Sequence, residues 1–163
     1  MSFSEILEKT YKLVEFVETK FSQQLTKRET DQNYEIDFNF FSMNFGKKYI
    51  GAFFDSNNNK DLTVWSGYDI VTDHFCVSFY SEKYKDQIKS VLESFKFNYF
   101  AEYITFSKEG YWYSLYLNVL DYKFKRGDKE LTNSDNNLFS SELEQDIKNI
   151  LDKFYEKVST GTK

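Results

Sequence analysis

The sequence predicts one α+β domain: an antiparallel sheet of about six strands with three helices, in the order α-ββββ-α-ββ-α. Three observations predict it. Segments with apolar residues every three or four positions flank segments that alternate every second position. The alternating segments come in runs rather than one by one between helices, which favours α+β over a parallel α/β sheet. Each helical segment carries one apolar stripe, as expected of a helix lying on a sheet. At 163 residues, with no Pro/Gly/Ser-rich linker, the chain suits one domain spanning 1–163, its last residues from Val158 fraying.

Ser2 to about Leu25 reads as the first helix, with Phe3, Ile6, Leu7, Thr10, Val14, Val17 and Phe21 on one face. Ser2 and Glu5 form a capping-box pattern, in which each side chain satisfies the other's backbone N–H. Four strands follow. Tyr34–Met43 alternates Tyr34, Ile36, Phe38 and Phe40 with Glu35, Asp37, Asn39 and Phe41. Asn44-Phe45-Gly46-Lys47 then turns the chain into Lys48–Phe54. The loop from Asp55 to Asp61 is rich in residues that bond their own backbone. Leu62–Ser66 is a short third strand, which Gly67 turns or bulges. His74–Tyr80 is the fourth, with Phe75, Val77 and Phe79 on its inner face.

Ser81 is a good N-cap for a second helix from about Glu82 to Phe95, with Tyr84, Ile88, Val91, Leu92 and Phe95 on its face. Tyr99–Phe106 and Tyr111–Leu120 form a hairpin about Ser107–Gly110. Lys125–Asn137 is polar and aperiodic and reads as a loop. Ser141 and Glu144 open a last helix to about Val158, with Leu143, Ile147, Ile150, Leu151, Phe154, Tyr155 and Val158 on one face.

The composition narrows the function classes. One His and one Cys fall short of the three or four ligands that a Cys/His zinc site needs. The six glycines are too scattered for a phosphate-cradling loop. No cofactor is expected, and no metal site. No apolar run approaches the roughly 20 residues of a membrane span. The N-terminal MSFSEILEK has acids where a signal peptide would be positive, so the expected location is cytoplasmic. His74 and Cys76 share a strand face, but no third member completes a nucleophilic site. Asp121-Tyr122-Lys123 resembles the D/E-x-K triplet of PD-(D/E)xK nucleases. That resemblance implies an Mg²⁺-dependent alternative using Asp121, Lys123 and an upstream acid.

Charge is unevenly distributed. Residues 29–73 hold eight acids and three bases, and that segment accounts for the whole formal net charge of -5. Such a segment repels phosphate backbones and attracts basic partners, so direct nucleic-acid binding is disfavoured. Aromatics and acids on outward strand positions suggest a protein-binding face. The candidate contacts are Glu35, Asp37, Phe41, Trp65, Asp69, Asp73, Tyr80, Trp112 and Tyr116. No catalytic residue is assigned.

In size, charge and lack of a catalytic motif the chain resembles small acidic bacterial immunity or inhibitor proteins, and phage-type anti-defence proteins that mimic nucleic acid. That resemblance implies a non-catalytic module neutralising a basic protein partner. The order of elements is also similar to type III secretion chaperones, which implies a homodimer as the alternative.

Overall fold

The computed structural model describes residues 2–29, 33–36, 39–42, 44–45, 49–71, 73–96, 100–106, 112–117 and 141–161. The elements in order are α1 (Phe3–Lys20), β1 (Leu25–Lys27), β2 (Asn33–Ile36), β3 (Asn39–Ser42), β4 (Asn44–Phe45), β5 (Tyr49–Ser56), β6 (Thr63–Asp69), β7 (His74–Tyr80), α2 (Lys85–Ser94), β8 (Phe100–Phe106), β9 (Trp112–Leu117) and α3 (Ser141–Gly161). The fold is α+β with an antiparallel sheet, as the sequence predicts. The main sheet runs β1-β5-β6-β7-β9-β8, and β4 pairs with β5 off that path.

The start of α1 follows from the Ser2/Glu5 box. The Glu5 backbone N–H donates to Ser2 Oγ at 3.3 Å, and the Ser2 N–H donates to Glu5 Oε1 at 3.2 Å. The helix ends at Lys20, earlier than expected, and a turn over 21–24 releases Leu25 into the edge strand β1. The predicted strand Tyr34–Met43 is two strands. β2 and β3 pair antiparallel as a separate two-stranded sheet, with Tyr34 opposite Phe41 and Glu35 opposite Phe40. Near Ser81 the helix also starts later than expected. Ser81 Oγ accepts the Tyr84 backbone N–H at 2.9 Å and caps a turn, and α2 proper begins at Lys85. The 55–61 loop behaves as its composition predicts: Asn59 Oδ1 accepts the Asp61 N–H at 2.9 Å, and Ser56 Oγ accepts from Asn58 and Asn59.

All three described helices contribute to one core on one face of the main sheet. That face is made by Ile50, Ala52 and Phe54 of β5, Val64 and Tyr68 of β6, Phe75, Val77 and Phe79 of β7, and Tyr113 and Leu115 of β9. Leu13, Val14 and Val17 of α1, Ile88, Val91 and Leu92 of α2, and Leu143 to Val158 of α3 fill it from above. Burying each Phe, Leu or Ile there contributes about 1.5–3 kcal/mol. Two polar contacts tie α3 into place. Ser56 Oγ lies 2.8 Å from Tyr155 Oη, and Lys20 of α1 reaches Glu144 at 3.9 Å.

Candidate functional site

The strand register builds the opposite sheet face row by row. Tyr49 of β5 lies opposite Asp69 of β6, which lies opposite His74 of β7. The next row is Gly51, Gly67, Cys76 and the Tyr116 position; then Phe53, Trp65, Ser78 and Ser114; then Asp55, Thr63, Tyr80 and the Trp112 position. Five of the predicted contacts, Trp65, Asp69, Tyr80, Trp112 and Tyr116, therefore share one side of the sheet by register. Of the other four, three are described, and they lie off this face. Glu35 and Phe41 lie in the separate β2–β3 sheet, where Glu35 pairs with Phe40 and Phe41 with Tyr34. Asp37 lies outside the described residues, as do Asp121 and Lys123. Asp73 lies beyond β6 in the turn before β7.

Trp65 is not a surface anchor. It is 7% exposed and packs with Phe53 and Cys76. Its indole lies across the facing pair Gly51 and Gly67. A Cβ on either would come within 3.0 Å of Trp65 Cζ2, so no larger residue fits beneath the ring. Tyr49 closes the edge of this cluster, with its ring perpendicular to Trp65 at 5.6 Å. The indole Nε1–H is buried with no acceptor among the described residues. Arg28 covers Phe53 at 5.3 Å and bonds Asp55 through two guanidinium nitrogens, at 2.5 and 3.2 Å. Both of those side chains are about half exposed, so this pair contributes at most about 1 kcal/mol.

Cys76 is buried within its row. Burial first, and the nearby Asp69 charge second, push the Cys76 thiol up, so it stays protonated at neutral pH. Among the described residues no three His, Cys, Asp or Glu side chains group to hold a metal ion. Among them, too, no helix is long and apolar enough to cross a membrane.

The acids of residues 29–73 do not form a single described patch. Asp55 and Asp61 sit at one end of β6, where Asp61 meets Lys83 at 4.0 Å. Asp69 and Asp73 sit at the other end, a seven-residue strand away. That is roughly 20 Å, beyond the roughly 8 Å Debye length at physiological salt.

The second acidic end is a built turn. Asp69 Oδ1 accepts the Val71 backbone N–H at 2.9 Å. The Tyr68 hydroxyl donates to Asp73 Oδ1. Asp73 has φ 57°, a left-handed conformation that Asp tolerates better than most residues. Ile70 and Val71, held between these acids, are 42% and 69% exposed, and Tyr49 beside Asp69 is 38% exposed. Three of the four exposed large apolar side chains among the described residues thus gather at this hairpin, the fourth being Phe3. Asp69 and Asp73 are legible in the sequence as candidate contacts, whereas Tyr49, Ile70 and Val71 are not. The available signal was an Ile-Val pair between two acids, where a polar turn is the norm.

A scan against protein-family models, a search of curated proteins and a search of solved structures find no match to this chain.

Proposed function

We propose that this protein is a non-catalytic binding module that engages a basic protein partner through the sheet face turned away from the helices. One observation carries the reading: register brings Asp69 and Tyr80, with the Trp112 and Tyr116 positions, onto one face around the buried Trp65. Aromatic and acidic residues together supply apolar contact area and a field that steers a cationic surface. Within that face Trp65 is the rigid support, and Tyr49 and Tyr80 are the accessible aromatics.

Affinity capture from the native host, followed by calorimetric titration of the purified partner, tests this. The expected partner is basic. Its affinity falls as salt is raised, and falls again with Asp69→Lys. An affinity indifferent to both salt and that reversal would refute the reading. Charge reversal at Glu35, in β2, separates the β2–β3 sheet from the main sheet as the acidic contributor.

A further inference from the structure

Building on that binding reading, we infer that the β6–β7 hairpin tip is its anchor. Ile70 and Val71 contact an apolar strip of the partner, and Asp69 and Asp73 face Lys or Arg residues flanking that strip. Exposed apolar side chains scattered singly need no explanation. Here three of them lie on one turn and the strand residue paired to its first acid.

The turn is also held ready. The Asp69–His74 register pair closes it, Asp69 bonds Val71 N, and the Tyr68 hydroxyl anchors Asp73. A pre-formed loop loses little conformational freedom on binding, so apolar contact at its tip converts into affinity with a smaller entropic cost.

The charge on the turn selects the occupant. From Ser66 to Cys76 the chain carries Asp69, Asp73 and no Lys or Arg. A second copy of this tip would set like charges against each other, and an anionic lipid surface would be repelled in the same way. A cationic protein surface is attracted by the same two carboxylates. Lys47 and Lys48, which precede Tyr49, lie outside the described residues.

The test uses three defined peptides. One is an amphipathic Leu/Lys helix; the others replace Leu by Ser, or Lys by Glu. Amide and indole N–H resonances of the whole ¹⁵N-labelled protein are followed by NMR during titration. The Leu/Lys peptide should give saturable shifts at Tyr49 and from Tyr68 to Phe75, and the two controls should not. Ile70→Ser/Val71→Ser should weaken binding at least about tenfold, as for truncating interface anchors. Asp69→Asn/Asp73→Asn should also weaken it and flatten its salt dependence. Asn keeps an acceptor oxygen at both sites and tolerates the left-handed conformation at residue 73, so this variant preserves the turn.

The inference is overturned if the Leu/Lys peptide binds both double variants as tightly as the parent. It is also overturned if shifts fall on Phe53 and the Trp65 indole N–H while the tip is silent, a result under which the binding face itself stands. If no basic peptide binds anywhere, both the tip and the basic-partner reading fall.

Discussion

Replacing Gly67 with Ala should be among the most damaging single-methyl changes in this protein. The added Cβ would sit 2.2 Å from the Ile50 carbonyl oxygen, 2.7 Å from Gly51 Cα and 2.9 Å from Trp65 Cζ2. Even a close C–H···O contact between strands spans about 3.3–3.6 Å, so the first overlap is about 1 Å deep. Two of the three obstacles are backbone atoms of the neighbouring strand, and a side-chain rotamer change cannot relieve them. β5 and β6 would have to part near the middle of a seven-pair register. Overpacking costs about 1–3 kcal/mol, and each ladder hydrogen bond weakened adds about 1 kcal/mol. A loss of about 3 kcal/mol or more is expected, against a total stability of order 5–15 kcal/mol. For a chain this long, that corresponds to a Tm lower by about 6–12 °C. Calorimetry and urea titration measure it directly. The same substitution in a Trp65→Ala background separates the causes. If backbone overlap dominates, most of the loss persists without the indole. A Gly67→Ala protein within about 0.5 kcal/mol of the parent, the range of an ordinary surface change, would refute this account of the Gly51–Gly67 pair.

Two further predictions concern ionisable groups. Cys76 is 2% exposed and its thiol is pushed up by burial, so a thiol reagent at mildly alkaline pH should label it only after denaturant is added; full labelling of the native protein at the rate of a free thiol would contradict the burial. The Tyr68 hydroxyl is pushed up to about 12, by burial first and then by its bond to Asp73 and the charges of Asp73 and Asp69. Between its ordinary value of about 10 and that raised value, the unfolded chain releases the proton while the folded chain keeps it. Stability contributed this way is whole below about pH 10 and is lost as pH rises toward 12. Tyr68→Phe should lessen the fall of the urea midpoint across that window, with the raised Tyr11 retaining its share; an unchanged slope would exclude Tyr68 as a contributor.

Much of the helical architecture was legible because an amphipathic helix repeats its burial every three to four residues. Leu143, Ile147, Ile150, Leu151, Phe154 and Val158 were expected on one face, and all are buried. Ile88, Val91 and Leu92 behave likewise. In β7 the predicted inner residues Phe75, Val77 and Phe79 face the helices. The misses have equally local causes. Even positions of β2 pair with odd positions of β3, Tyr34 with Phe41 and Ile36 with Asn39, so an unbroken alternation from Tyr34 to Phe40 reads as one strand and not as this hairpin. β1 has three residues, too few to show a period. Gly67 was expected to turn or bulge its strand, yet it pairs in register with Gly51, because the missing side chain makes room for an indole rather than for a bend.

The candidate site divides along the same line. Composition and alternation alone determined that aromatics and acids would occupy outward strand positions and that the acidic excess belongs to residues 29–73. They also determined the apolar face of each helix, since side-chain direction is a local property of the backbone. Only tertiary structure decided which strands are neighbours. Trp65 thereby became a buried support, Glu35 and Phe41 went to a separate sheet, and Tyr49 came to lie beside the Asp69–Asp73 turn. The physical reason is that register is set by hydrogen bonds between residues far apart in sequence, and a two-residue repeat is the same in every strand that could have paired.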